Sequence, residues 1–200
     1  VRTKADGTIF AVTAPEGKWI RKGKACFLRG GKLAFDIGWV GDAGGKTRIA
    51  DGRWHHVAVT GGSPLRFYVD GKPDGERDLG KHPDPKGTVF KIGWTSTTFP
   101  GGENRFRGAI DDLRVYGRVL DVAAIAALYA KGKASAAGGD TCGDGDRKSA
   151  PAAGGALTHL RLDGVCDDAS GSLNHAVPHG KATFEPGVHG AALQLDGKTH

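Results

Sequence analysis

The feature that most restricts this chain is its punctuation. Through the first 118 residues, turn signals stand at Asp6-Gly7, Gly30-Gly31, Asp51-Gly52, Gly61-Gly62 and Asp70-Gly71. Between and beyond them run short segments rich in β-branched and aromatic residues: GTIFAV, ACFLRG, LAFDIGWV, HHVAVT, LRFYVD, VFKIGW and AIDDLRVY. Short apolar runs cut at such spacing leave no room for long helices and predict an all-β antiparallel sandwich. Asp70-Gly71 is the sharpest hairpin signal, because both residues tolerate the positive φ that a type I′ turn demands.

One stretch breaks this pattern. LDVAAIAALYAKG places Val122, Ile125, Leu128 and Tyr129 on one stripe at helical spacing. Asp121 is a natural N-cap, Lys131 suits the negative end of the helix dipole, and Gly132 suits a left-handed close. A short helix is therefore expected to end a first segment at residue 132. Residues 133–155 are small and polar, with nothing large to bury, and read as a flexible linker. Its Asp140, Asp144 and Asp146 lack the glutamate and spacing of a calcium loop. Residues 156–200 return to strand character with ALTHLRLDG, ATFEPG and AALQLDG, but forty-five residues of strand and turn do not enclose a core alone.

Charge and cysteines bound the chemistry. The chain carries a net +6 with its cations scattered; the densest group is KWIRKGK, from Lys18 to Lys24. Such a loop around Trp19 suits an anionic sugar, or is simply a solvated hairpin tip, and no nucleic-acid motif accompanies it. No apolar run is long enough for a membrane span. Cys26, Cys142 and Cys166 fit no zinc spacing. Cys142 with Cys166 is the expected disulfide, since both flank the start of the last segment; three free thiols, or partners elsewhere, is the alternative. Methionine is absent, so the chain is expected to be a processed or internal piece.

Taken in order, DGRWHHVAVT, LRFYVDGK, KIGW and FRGAIDDLRVYGRVLDVAAIAALYA resemble the later part of a laminin G-like (concanavalin A-like) jelly-roll domain. LRLDGVCDDASGSLNHAVPHG and FEPGVHGAALQLDG resemble the opening strands of the same kind of domain. The resemblance implies an antiparallel jelly-roll sandwich over residues 1–132 that lacks its first strands. Residues 156–200 are then either the opening of a second, partial copy or strands that fold back to complete the first. It further implies a non-catalytic glycan-binding or adhesion module, extracytoplasmic, attached to other domains of the same parent chain. Its partner is expected to be a glycan or an extracellular protein. A structural spacer or protein-contact module is the competing reading, and an accessory part of a glycan-active hydrolase is a third.

Enzyme chemistry finds little footing. No nucleophile elbow, zinc helix or phosphate loop is present. Glycosidases need two close carboxylates, whereas the four glutamates, Glu16, Glu76, Glu103 and Glu185, lie far apart. The adjacent His55 and His56 belong to a strand, so they face opposite sides and do not converge on one atom. His55 is expected at the core edge and His56 on the surface.

Calcium is the one cofactor the resemblance implies, because domains of that family often hold one near the sandwich rim. Asp111 or Asp112, with Asp167, Asp168 or Asp196, are the candidate oxygens; turn caps or arginine partners are the alternative. Ile110 and Leu113 have opposite strand parity, so a β-bulge is expected between them. Indoles in turn contexts are candidate sugar platforms: Trp19, Trp39 and Trp94, with Phe99.

Overall fold

Alternation decides where the core lies. In β3 (Lys24–Arg29), Cys26 and Leu28 enter one buried cluster while Ala25 and Phe27 enter another on the opposite face. In β7 (Leu65–Val69), Leu65, Phe67 and Val69 share the first cluster, and Tyr68 packs on the far side against Leu120 and Ile125. Both sheets are therefore covered on both faces, which explains why the segments ACFL and LRFYV are apolar almost throughout. Each fully buried phenylalanine among them removes enough apolar surface from water to contribute about 2–3 kcal/mol.

The computed structural model describes residues 1–138, 156–162, 168–170, 172, 174, 176–178 and 182–198. In these the remaining strands are β1 (Arg2–Thr3), β2 (Gly7–Thr13), β4 (Lys32–Ile37), β5 (Gly41–Arg48), β6 (Val57–Thr60), β8 (Lys72–Arg77), β9 (Val89–Ile92), β10 (Arg107–Ile110), β11 (Leu113–Tyr116), β12 (Ala156–Leu160), β13 (Thr183–Pro186) and β14 (Ala191–Asp196). One helix, α1 (Val122–Gly138), joins them. A five-stranded sheet runs β5-β4-β3-β2-β9, a three-stranded one β6-β7-β8, a four-stranded one β1-β10-β14-β13, and β11 pairs β12. Every pairing is antiparallel. The fold is the expected all-β antiparallel sandwich with one helix.

The turn at Asp70-Gly71 has φ of 50° and 75°, the two positive values that a tight hairpin needs. The helix starts as its cap residue dictates, with the N–H of Ala124 donating to Asp121 Oδ1 at 2.8 Å. Its end differs from expectation. Gly132 keeps helical backbone and α1 continues to Gly138, six residues into the segment read as linker. A glycine inside a helix costs only about 1 kcal/mol, and the alanines that follow Gly132 favour continuing.

Two strands come from unpromising sequence, GDAGGKTR in β5 and KPDGER in β8. The buried Asp74 joins them by accepting the N–H groups of Lys46 and Thr47 at 3.0 Å each and the Thr47 hydroxyl at 2.5 Å. Glycine is needed there: a Cβ on Gly45 would stand 1.9 Å from Asp74 Oδ2, and one on Gly75 2.8 Å from the Gly44 carbonyl.

Residues 156–198 share sheets with the first segment. β14 pairs β10 from Arg107↔Asp196 to Ile110↔Leu193, and β12 pairs β11. Leu160, Leu162 and Leu195 are buried in the cluster that holds Leu28, Phe67 and Phe106. Arg2 reaches Glu185 at 2.7 Å across the same seam.

Candidate functional site

The turn between β4 and β5 carries the most exposed indole. LAFDIGWV was expected to run as one strand to Val40, but β4 stops at Ile37 and Trp39 adopts a φ of 59°. A bulky residue in the left-handed region is strained and marks a place worth a functional reading. Its ring is 68% exposed. The neighbouring loop is stapled to this turn by two hydrogen bonds, Lys22 N–H to the Gly38 carbonyl and Gly38 N–H to the Gly23 carbonyl, both 2.9 Å. Gly38 has to be glycine, since a Cβ there would meet the Ile20 carbonyl at 2.4 Å. That loop brings the exposed Lys18 and Arg21 to the same rim.

Below the turn, beside the apolar cluster on the outer face of the five-stranded sheet, lies a strip of polar groups. Asp36 and Asp42 stand directly opposite each other on β4 and β5. Burial, reinforced by the Asp42 charge, pushes the Asp36 carboxyl up to about 6 against the opposing Arg29. Arg29 lies over the Phe27 ring at 4.8 Å and bonds Glu103 at 2.7 Å and Asp42 at 3.3 Å. The result is a row of donors and acceptors running from the Trp39 turn to the Glu103 loop.

The other three aromatic candidates are placed differently. Trp19 and Phe99 are inside, at 5% and 4% exposure, edge to face with centroids 5.0 Å apart. They form, with Phe27, the second apolar cluster, so neither is a free platform. Their loops fold over the sheet, a long-range contact that local sequence does not announce. Trp94 is half-buried with Lys91 over its ring at 3.8 Å and Arg105 at 5.2 Å, so the protein's own cations cover it. Burial lowers the Lys91 pKa, against the raising effect of Glu16.

The candidate calcium ligands do not converge. No group of three or more metal-binding side chains exists among the described residues. Asp111 Oδ2 accepts the N–H groups of Val188 and His189, at 2.6 and 2.9 Å. Burial raises its pKa, opposed by those two bonds. Asp112 bonds His159 at 2.6 Å and Arg114 at 2.9 Å. Burial pushes its carboxyl up, but the His159 hydrogen bond and the Arg114, His159 and His189 charges outweigh that and hold it at about 2. Asp168 accepts N–H groups from His159, Ser170 and Asn174, and Asp196 accepts the N–H of Lys198 at 2.7 Å. Apart from Asp111 Oδ1, which has no hydrogen-bond partner, these carboxylates act as turn and seam fasteners, and they do not gather the six to eight oxygens that calcium takes. Asp167, Cys142 and Cys166 lie outside the described residues, and so does any bridge between the two cysteines; Cys26 is a buried free thiol.

The bulge expected between Ile110 and Leu113 is a sharper break. Asp112 takes a φ of 51°, β10 ends and β11 starts in another sheet. Both apolar neighbours still reach the core. His55 is held at the core edge as expected, Nδ1 to Asp70 at 2.9 Å and Nε2 to Asp51 at 3.2 Å. His56, expected on the surface, is instead packed beside Tyr129 of α1, centroids 6.0 Å apart, and burial lowers its pKa. The helix covers the face that the strand pattern left to solvent.

No helix among the described residues is long and apolar enough to cross a membrane, which does not bear on β-barrels. A sequence profile described as the concanavalin A-like lectin/glucanases superfamily, of laminin G type, matches residues 5–126. A search of curated proteins finds no match. Among solved structures, the chain is similar to a native heptameric SAP-like pentraxin from Limulus polyphemus, at 17% identity and a TM-score of 0.47, with 64% of each chain covered. It thus spans just under two thirds of that protein's length. An S-layer domain-containing protein from Clostridium thermocellum is 24% identical, with 64% of this chain and 65% of that one covered and a TM-score of 0.34. Mouse laminin alpha1 domains LG4-5 are 18% identical, with 52% of this chain and 30% of that one covered and a TM-score of 0.39.

Proposed function

Since this chain belongs to the concanavalin A-like lectin/glucanases superfamily, we propose that it is a non-catalytic carbohydrate-binding or adhesion module of a larger extracytoplasmic protein. The observation that carries the reading is Trp39: an indole 68% exposed, on a strained turn that two main-chain hydrogen bonds hold to its neighbour. A sugar ring offers an apolar face to such a platform and hydroxyls at its rim. Asp42 and Arg29, both partly exposed, supply acceptors and donors at the root of the turn. Lys18 and Arg21 beside the turn favour a glycan that carries negative charge. A few convergent polar groups around an apolar contact is the usual make-up of a small-molecule site.

The test is a glycan-array screen of the whole chain beside Trp39→Ala, with calcium and again with a chelator. Sulfated or uronic acid glycans retained by the parent and lost by at least tenfold in the variant support the reading. The four aspartates are fasteners, so binding is expected to survive the chelator; loss in chelator alone would restore a calcium role to Asp111, Asp112, Asp168 or Asp196. Bound glycan is expected to be released intact, and new reducing ends would move the reading to a hydrolase accessory. Silence from folded protein would leave a spacer or a protein-contact module.

A further inference from the structure

Two strands border one space without touching. β6 ends the three-stranded sheet and β11 is the outer member of a two-stranded one, so among the described residues each has one main-chain edge with no strand on it. Val57–Thr60 and Leu113–Tyr116 both line a single cavity of about 820 Å³. Ile9 and Phe10 line it on the core side and Ile125 and Leu128 on the helix side, while Asp111, Asp112 and His189 bring polar groups to it.

Three side-chain atoms around this space are buried with no hydrogen-bond partner: His56 Nδ1, Thr60 Oγ1 and Asp111 Oδ1. All three residues line the cavity. Orphaned buried polar atoms are uncommon in native proteins, and three of them belong to residues around this one space.

The short strand β1 points into the gap. Arg2 bridges Trp54 on one side and pairs with Ala109 on the other, antiparallel to both. The N–H of His55 donates to the Val1 carbonyl at 2.9 Å. A small apolar ligand would satisfy neither main-chain edge, whereas a strand satisfies both.

We infer that the cavity is a strand-acceptor site, taking one extended segment of about five residues in line with β1 and hydrogen-bonded antiparallel to both β6 and β11. Antiparallel pairing advances one residue for one. Continued from Arg2↔Trp54, it sets Val57–Thr60 opposite the second to fifth residues of the inserted segment, counted back from Val1. The core covers one face of the inserted strand and α1 the other, so its side chains are apolar on both faces rather than alternating. Near Val1 it carries a donor for Asp111 Oδ1. Once filled, β8, β7 and β6 become continuous with β11 and β12.

The experiment fuses a valine- and threonine-rich segment of about six residues directly to Val1. Amide hydrogen exchange is followed by NMR in the fused and parent chains. Protection within Val57–Thr60 and Leu113–Tyr116 is expected to rise by roughly tenfold or more, with little change in β3. A second fusion, with proline at alternate positions, lacks half the N–H groups and is expected to give no such rise. Equal protection from both fusions would overturn the proposal, as would no change with the first. Protection by the same free peptide, but not by the fused one, would overturn entry in line with β1.

Discussion

The five-stranded sheet and the opposite wall differ in how completely each is finished. On the β5-β4-β3-β2-β9 side the strands pair edge to edge, with register shifts between β2 and β3 and between β4 and β5, and both faces of the inner strands are buried: Leu28 and Phe35 on one, Phe27 and Ala34 on the other. On the opposite side, β6-β7-β8 and β11-β12 are parted by a cavity. The same alternating sequence grammar wrote both. The lesson is that strand pattern supplies elements, and that only pairing on both edges makes them rigid.

Substitutions separate the two sides by size of effect. Phe27→Ala on the finished side removes a ring at 0% exposure and is expected to cost about 3–5 kcal/mol in denaturant unfolding. Val59→Ala, on the cavity wall, should cost about 1 kcal/mol or less, because its neighbours are already incomplete. Equal costs would dissolve the distinction. Asp74→Ala comes next: it strips acceptors from two N–H groups and a hydroxyl between β5 and β8, for about 2–3 kcal/mol.

Acid probes the seam with residues 156–198. Asp112 is held at about 2 in the fold, below its ordinary value. A depressed carboxylate contributes stability that is present above pH 4 and lost as pH falls toward 2, here about 2 kcal/mol. Asp112→Asn should flatten that limb of the stability–pH curve. Asp36 has the opposite sign and the smallest effect. Its carboxyl is raised to about 6, so the folded state prefers it protonated, and stability falls as pH rises from about 4 to 6. Asp36→Asn should remove that slope and stabilise at neutral pH by about 1 kcal/mol after solvent screening. A pH-independent gain would show that charge is not the cause.

Much of the fold was readable because its signals are local. Asp70-Gly71 states its turn, Asp121 its cap, and the β3 and β7 runs their strands. β5 and β8 were not readable, because glycine and charge carry no strand preference and the strands exist through Asp74, whose partners lie 27 to 28 residues away in sequence. Of the site, Trp39 was visible as a candidate indole, but the end of its strand at Ile37 was not. That Trp19 and Phe99 pack inward while Trp39 does not depends on loops meeting across about 80 residues of sequence, as the Trp19 N–H bond to Thr98 Oγ1 illustrates. His56 was misjudged for the same reason: a helix some seventy positions later covers it.

The strand order β1-β10-β14-β13 bears on how the molecule is made. β10 holds a partner from the first residues on one edge and one from positions 191–196 on the other. A chain leaving the ribosome has β2, β3 and β4 together early, since connections of ten residues or fewer join them, but β10 must wait with one edge bare while more than eighty further residues are synthesised. Such distant pairing slows folding, and through that interval the Arg107–Ile110 edge is open to any passing strand. The arrival of β14 is what hides it.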